Sequence, residues 1–194
     1  MKYEVQLKCV SSKEWLNTVM NDFPSFMQDH ADCERKASAM AMSFVAKYPD
    51  RKEILKDCIA TGIEELEHFN DVYRIMEKRG IPLKSEIPKD MYMHQLLKHC
   101  RSGREDRFLD RLIVASIVES RGAERFKMIA DSLEDEEIKK FYYDLGTSEA
   151  RHCHIFIKMA RNYFDDHEIE NRIEFLSKME AEILMGLELK PALH

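Results

Sequence analysis

The sequence predicts an all-α chain folded as a four-helix bundle, and three observations predict it. Helix formers such as Glu, Lys, Leu, Met and Ala dominate, with only 6 Gly and 5 Pro in 194 residues. The few Gly and Pro cluster between long stretches in which apolar residues recur at helical spacing. A pattern of acids and histidines also occurs twice: Glu34 lies 31 positions before Glu65 of Glu65-Leu-Glu-His68, and Glu119 lies 30 positions before Glu149 of Glu149-Ala-Arg-His152. Two helices giving one Glu each and two giving Glu-x-x-His is how a ferritin-like bundle carries a pair of metal ions.

Element by element, Ser11-Ser12-Lys13-Glu14 has the S-x-x-E form of a capping box, predicting a short lead-in helix around Trp15 to Met20. Pro24 suits a first helical turn, so the first bundle helix is expected over Ser25 to Lys47, stopping before Pro49. The second is expected from about Arg51 to Arg79, with Gly80-Ile81-Pro82 as its stop. Residues 80 to 104 hold Pro82, Pro88 and Gly103 and a short helical stretch near Met91 to Cys100, enough chain for the long crossover of such a bundle. The third bundle helix follows over about Glu105 to Asp131 and the fourth over about Asp135 to Tyr163. Asp165-Asp166 predicts the cap of a further amphipathic helix, His167 to Leu189, which carries no ligand candidate and is expected outside the bundle or in an oligomer interface. No linker or low-complexity tract divides the chain, so residues 1–194 are expected to form one domain.

Residues three apart on a helix share a face, so each Glu-x-x-His can grip one cation from one side. One such tetrad arises by chance in a chain with this much Glu and 8 His; two, each preceded at matched distance by a lone Glu, do not. Glu34, Glu65, His68, Glu119, Glu149 and His152 therefore supply four carboxylates and two imidazoles. That donor set suits iron or manganese, whereas structural zinc favours thiolates. Four carboxylates would balance the charge of two ferrous ions, with Glu65 and Glu149 as bridges and Glu34 and Glu119 as terminal ligands. No catalytic residue beyond these ligands is expected. Among the other candidates, His30, one turn before Glu34, and His154 read as supports or surface residues; Glu64, Glu67 and Glu124 point away from the ligand face; Tyr142, Tyr143 and the methionines read as core. Gly62 and Gly146 each sit three before a Glu of the repeat, and Ala37, Ala41, Ala115, Gly122 and Ala123 are also small. Either a substrate cavity or close helix packing accounts for them.

Composition narrows the class further. The five cysteines, Cys9, Cys33, Cys58, Cys100 and Cys153, are odd in number and form no C-x-x-C pair, which excludes a rubredoxin-type iron site and gives no disulfide framework. Met1 to Val10 lack the apolar run of a signal peptide and no later stretch is apolar enough to span a bilayer, so a cytoplasmic protein with no membrane partner is expected. A net charge of −6 argues against a protein that simply coats nucleic acid.

The phrases Asp29-His30-Ala31-Asp32-Cys33-Glu34-Arg35-Lys36-Ala37, Glu64-Glu65-Leu66-Glu67-His68-Phe69, Val118-Glu119-Ser120-Arg121-Gly122-Ala123-Glu124-Arg125-Phe126 and Ser148-Glu149-Ala150-Arg151-His152 resemble the MiaE family of tRNA hydroxylases. Glu67 stands where some relatives carry another residue. The resemblance implies a non-haem monooxygenase with two iron ions on the six ligands named above. It would use dioxygen and an unidentified electron donor to hydroxylate the isopentenyl group of 2-methylthio-N6-isopentenyladenosine beside a tRNA anticodon. The implied partner is a tRNA anticodon stem-loop, and Arg104, Arg107 and Arg111, on one helical face of a basic run that begins at Lys98, are the candidate phosphate contacts. The alternatives are a ferritin-like oxidase or iron-handling protein without an organic substrate, and a metal-free helical interaction protein.

Overall fold

In the computed structural model, residues 5–86 and 89–194 are described, and every regular element among them is helical. The order is α1 (Lys13–Asn21), α2 (Phe23–Lys47), α3 (Lys52–Lys78), α4 (Met91–Leu97), α5 (Arg104–Ser132), α6 (Glu136–Ala160) and α7 (Asp166–Gly186). The chain forms two compact units, one of Lys13–Pro88 with Leu189–Leu193, the other of Met1–Ser12 and Lys89–Glu188 with His194.

In the first unit, α1 packs on α2 and α2 runs against α3. Asp22 starts α2 by accepting from the Ser25 backbone N–H at 3.2 Å, with Pro24 in the first turn. At the same end of this pair Gly80, at φ +66°, closes α3. The Ile81 N–H reaches back to the Met76 carbonyl at 2.9 Å and the Gly80 N–H to Glu77 at 3.1 Å, a Schellman closure that needs the left-handed backbone glycine allows. Residues 189–193 lie on the same unit: the Trp15 indole donates to the Ala192 carbonyl at 3.0 Å, and the Leu193 N–H donates to Asp29 at 2.8 Å.

In the second unit α5 is the axis. Phe108, Leu109, Leu112, Ile113, Val114, Ala115, Ile117, Phe126 and Ile129 are all buried, so the helix is apolar around most of its girth. Such a helix must be covered on several sides, and α6, α7 and α4 cover it. Gly103, at φ +97°, turns the chain into α5. Asp135 caps α6, and Asp165 caps α7 as the sequence indicates.

Running through this apolar packing is a buried polar network. Arg121 is 0% exposed and meets Glu180 of α7, also 0% exposed, through Nε–Oε1 at 2.9 Å and Nη2–Oε2 at 3.1 Å. Its other donors reach Glu124 at 2.8 Å and the Cys9 carbonyl at 3.0 Å, and the Tyr92 hydroxyl of α4 donates to Glu180 at 3.0 Å. Arg125, whose guanidinium is pushed down to about 10 by burial and by Arg121 beside it, donates to the Ser11 hydroxyl at 3.0 Å. At an effective dielectric of about 20, opposite charges at such a distance attract by on the order of 6 kcal/mol. Stripping each ion of water costs several kcal/mol, so the pair roughly cancels itself and serves mainly to fix which helix faces which.

Four details depart from expectation. The Ser11 N–H and hydroxyl both go to Glu124 of α5, at 2.6 and 2.7 Å, so Ser11 and Glu14 do not form a capping box and α1 begins at Lys13. The helix in the crossover ends at Leu97, three residues early. α7 packs on α5 and α4 through one face, and that face buries an acid, Glu180, together with apolar residues such as Ile169. Tyr142 is core, its ring tilted by 35° against Phe126 at 5.6 Å, whereas Tyr143 is 59% exposed.

Candidate metal centre

Each unit presents one triad of donors. On the first, α2 supplies Glu34 and α3 supplies Glu65 and His68, with ligand atoms within 4.8 Å of one another. The two carboxylates are buried and the His68 side chain is 13% exposed. His68 Nδ1 lies 3.3 Å from Glu65 Oε2 and 3.7 Å from Glu34 Oε2. On the second, α5 supplies Glu119 and α6 supplies Glu149 and His152, again within 4.8 Å, all three buried. His152 Nδ1 is 3.6 Å from Glu149 Oε2. All six sequence-predicted ligands thus fall into two matched sets.

The supporting contacts explain why each helix pair holds its register. The Ser38 hydroxyl of α2, one turn after Glu34, donates to the Gly62 carbonyl of α3 at 2.7 Å. The Ser116 hydroxyl of α5, one turn before Glu119, donates to the Cys153 carbonyl of α6 at 2.8 Å. The glycines are packing positions. A Cβ on Gly146 would sit 3.4 Å from the Ala123 carbonyl, and one on Gly62 would sit 3.2 Å from the Met42 side chain. Gly122 has ordinary clearance, 3.8 Å to Glu149 Cγ. Close helix approach therefore accounts for Gly62 and Gly146.

Besides the partial exposure of His68, the two triads differ in what supports the lone Glu. His30, 0% exposed, puts Nε2 2.6 Å from Glu34 Oε1 and stacks on Phe26 at 5.9 Å. The matching position before Glu119 is Ala115. An imidazole N–H on Oε1 fixes the rotamer of Glu34 and leaves Oε2, the oxygen facing His68, for a cation. His30→Ala is therefore expected to weaken metal binding by about 10–100-fold, with partial recovery in His30→Gln, read by competition with a chelator.

The electrostatics fit a cation. Burial raises the Glu34 carboxyl to about 8; His68 opposes that rise, and the charge of Glu65 adds to it. Buried acids this close are costly unless protons or a metal neutralise them. Oxygen donors with one imidazole per triad suit a first-row ion such as iron or manganese.

The remaining candidates fall elsewhere. His154 is exposed. Glu124 is occupied by Ser11 and Arg121. Arg104 and Arg107 are exposed and Arg111 half-buried on α5. Arg101, from the same basic run, is committed to buried Asp110, with Nη2–Oδ1 at 3.0 Å, and Arg172 holds the same carboxylate at 2.8 Å. Sequence reasoning missed the Arg121–Glu180 pair. The available signal was an arginine in the middle of a helix apolar on nearly every face. All five cysteines are free thiols, and no helix of the described residues is long and apolar enough to cross a membrane.

Comparison with known proteins settles the family. Residues 2–194 match the family described as tRNA-(MS[2]IO[6]A)-hydroxylase (MiaE). The chain belongs to the MiaE family. A relative in Pseudomonas putida, named tRNA 2-(methylsulfanyl)-N(6)-isopentenyladenosine(37) hydroxylase, is 32% identical over 93% of this chain and 87% of its own length. A protein of the same name in Salmonella typhimurium is 26% identical over 93% of this chain and 84% of its own. Among solved structures, a Synechococcus protein with aldehyde deformylating oxygenase activity superimposes with a TM-score of 0.90 at 30% identity, covering 95% of this chain and 92% of that one. The fold class read from the sequence, all-α and ferritin-like, holds for this MiaE family member.

Proposed function

We propose that this MiaE family member is a cytoplasmic, dioxygen-dependent hydroxylase of the isopentenyl group on 2-methylthio-N6-isopentenyladenosine next to a tRNA anticodon. The single observation that carries the reading is the pair of matched Glu, Glu and His triads, buried except for the His68 edge, in a chain of this family. Glu34, Glu65, His68, Glu119, Glu149 and His152 would hold two iron ions as the one di-iron domain of residues 1–194. Two irons would supply dioxygen activation for attack on an allylic C–H bond of the isopentenyl group.

The reaction balances as substrate C–H, one dioxygen, two electrons and two protons giving C–OH and one water, so an external electron donor is required. The chain's own residues do the positioning. His30 holds one carboxylate oxygen of Glu34 away from the cation face. Ser38 and Ser116 fix the ligand helices in register. The apolar packing behind both triads keeps bulk water from the acids. The exposed face of Arg104 and Arg107, with Arg111 below it, would meet tRNA phosphates.

The test is mass spectrometry of tRNA nucleosides after incubation with protein, ferrous iron, reductant and dioxygen. The expected product is the prenylated nucleoside heavier by one oxygen. An unaltered nucleoside, with iron loading that continues far past two per chain, would favour an iron-handling protein instead.

A further inference from the structure

On the first unit the surface has a hollow of about 90 Å³, open to solvent and lined by Gln28, Asp29, Asp32 and Arg35 of α2, Phe69 of α3, and Leu83 and Lys84 after α3. Its position is tied to the ligands through the chain: Arg35 follows Glu34 and Phe69 follows His68. The wall is fixed. Gln28 Nε2 donates to the Pro82 carbonyl at 2.6 Å, and the Schellman closure at Gly80 anchors the start of the same segment.

Its chemistry points to one kind of occupant. Phe69 and Leu83 give apolar surface, and the Phe69 ring is steadied by stacking on Tyr73 at 6.4 Å and 20°. Both acids at the hollow are already engaged. Asp32 takes Arg35 at 2.7 Å and also Lys36, and Asp29 accepts from the Leu193 N–H and the Cys33 thiol. Lys84 has no carboxylate partner among the described residues, and Arg35, 47% exposed, contacts Asp32 through a single nitrogen, Nη2. An aromatic floor with cations at its edge suits a flat base joined to phosphate, the ligand that single-stranded nucleic acid offers.

We propose that this hollow binds an unpaired base of the tRNA anticodon loop, with Phe69 stacked on the base and Lys84 and Arg35 on the adjoining phosphates. The inference rests on the tRNA reading above and adds to it a base-recognition surface on the first unit.

An anticodon stem-loop RNA, titrated at several salt concentrations against iron-loaded protein, tests it. Lys84→Glu is expected to weaken binding about tenfold and to lower the salt slope by about 1. Phe69→Ala is expected to weaken it by roughly 5–100-fold, the usual loss when one stacking platform is removed. Iron content and helical circular dichroism should match wild type in Lys84→Glu, which lies outside the ligand helices and so carries the decision. If wild type binds the RNA and Lys84→Glu binds it equally well with the same salt slope, the hollow is not the base site. If wild type itself neither binds the RNA nor oxygenates it, the tRNA reading fails first and the hollow fails with it.

Discussion

Glu65→Gln is expected to leave the fold intact and to strip the protein of retained iron, with hydroxylation lost along with the metal. The substitution keeps the shape of a side chain only 1% exposed and removes its charge, so no cavity opens. It takes an anionic oxygen from a triad whose other members, Glu34 and His68, lie within 4.8 Å of it. Two measurements check it. Metal analysis should fall from about two irons per chain, and the rise in melting temperature on adding ferrous or manganous ion should disappear. In wild type, a metal at 100 times its dissociation constant would add about 2.7 kcal/mol.

The same variant predicts a change in the metal-free protein. Burial holds the Glu34 carboxyl at about 8 against an unfolded value near 4.5. The native state therefore keeps a proton that the unfolded chain releases, and metal-free stability falls as pH rises from about 4.5 to about 8. Removing the charge of Glu65 takes away part of the push on Glu34, so the decline should be shallower in Glu65→Gln. An equal or steeper decline would mean that the two acids do not share a field.

Arg121→Met is expected to give the largest loss of stability among single substitutions away from the triads. It leaves Glu180 buried at 0% exposure without its guanidinium, and it removes the donor to Glu124 and to the Cys9 carbonyl. Breaking a buried pair from one side costs about 3–5 kcal/mol. For a chain of this size each kcal/mol lowers the melting temperature by about 2–4 °C, so a fall of roughly 6–20 °C is expected by calorimetry. Arg121→Met with Glu180→Leu should recover much of it, because no ion is then stranded. If the double variant were as unstable as the single, the loss would lie in packing and not in an orphaned charge.

The two triads were legible because the chain repeats one device: a Glu on one helix and a Glu-x-x-His on the next impose fixed spacing on the sequence. Helix ends were legible where a single residue marks them, as at Gly80 and Asp165, whereas the cap at Asp22, which starts α2 two residues before the expected Ser25, was not read. Contacts between distant residues were not. Ser11 with Glu124, and Arg121 with Glu180, are separated by 113 and 59 positions and follow no period. A local S-x-x-E pattern therefore read as a capping box when the partner of Ser11 lay on another helix. Glu180 also looked like one more polar residue of an amphipathic helix. His30 showed a signal in its one-turn offset from Glu34, yet only coordinates reveal that it is buried and that it touches Glu34 Oε1.

The girdle of apolar residues on α5 also bears on how the protein is made. Residues 108–117 leave the ribosome before α6 and α7 exist to cover them, and a nascent segment of this kind invites chaperone capture or self-association. Asp110 and Arg111 interrupt that run with charge, in the manner of gatekeepers. Neutralising Asp110 would therefore lower the yield of protein from cells, and because it also takes the carboxylate from Arg101 and Arg172, the molecules that do mature would be less stable.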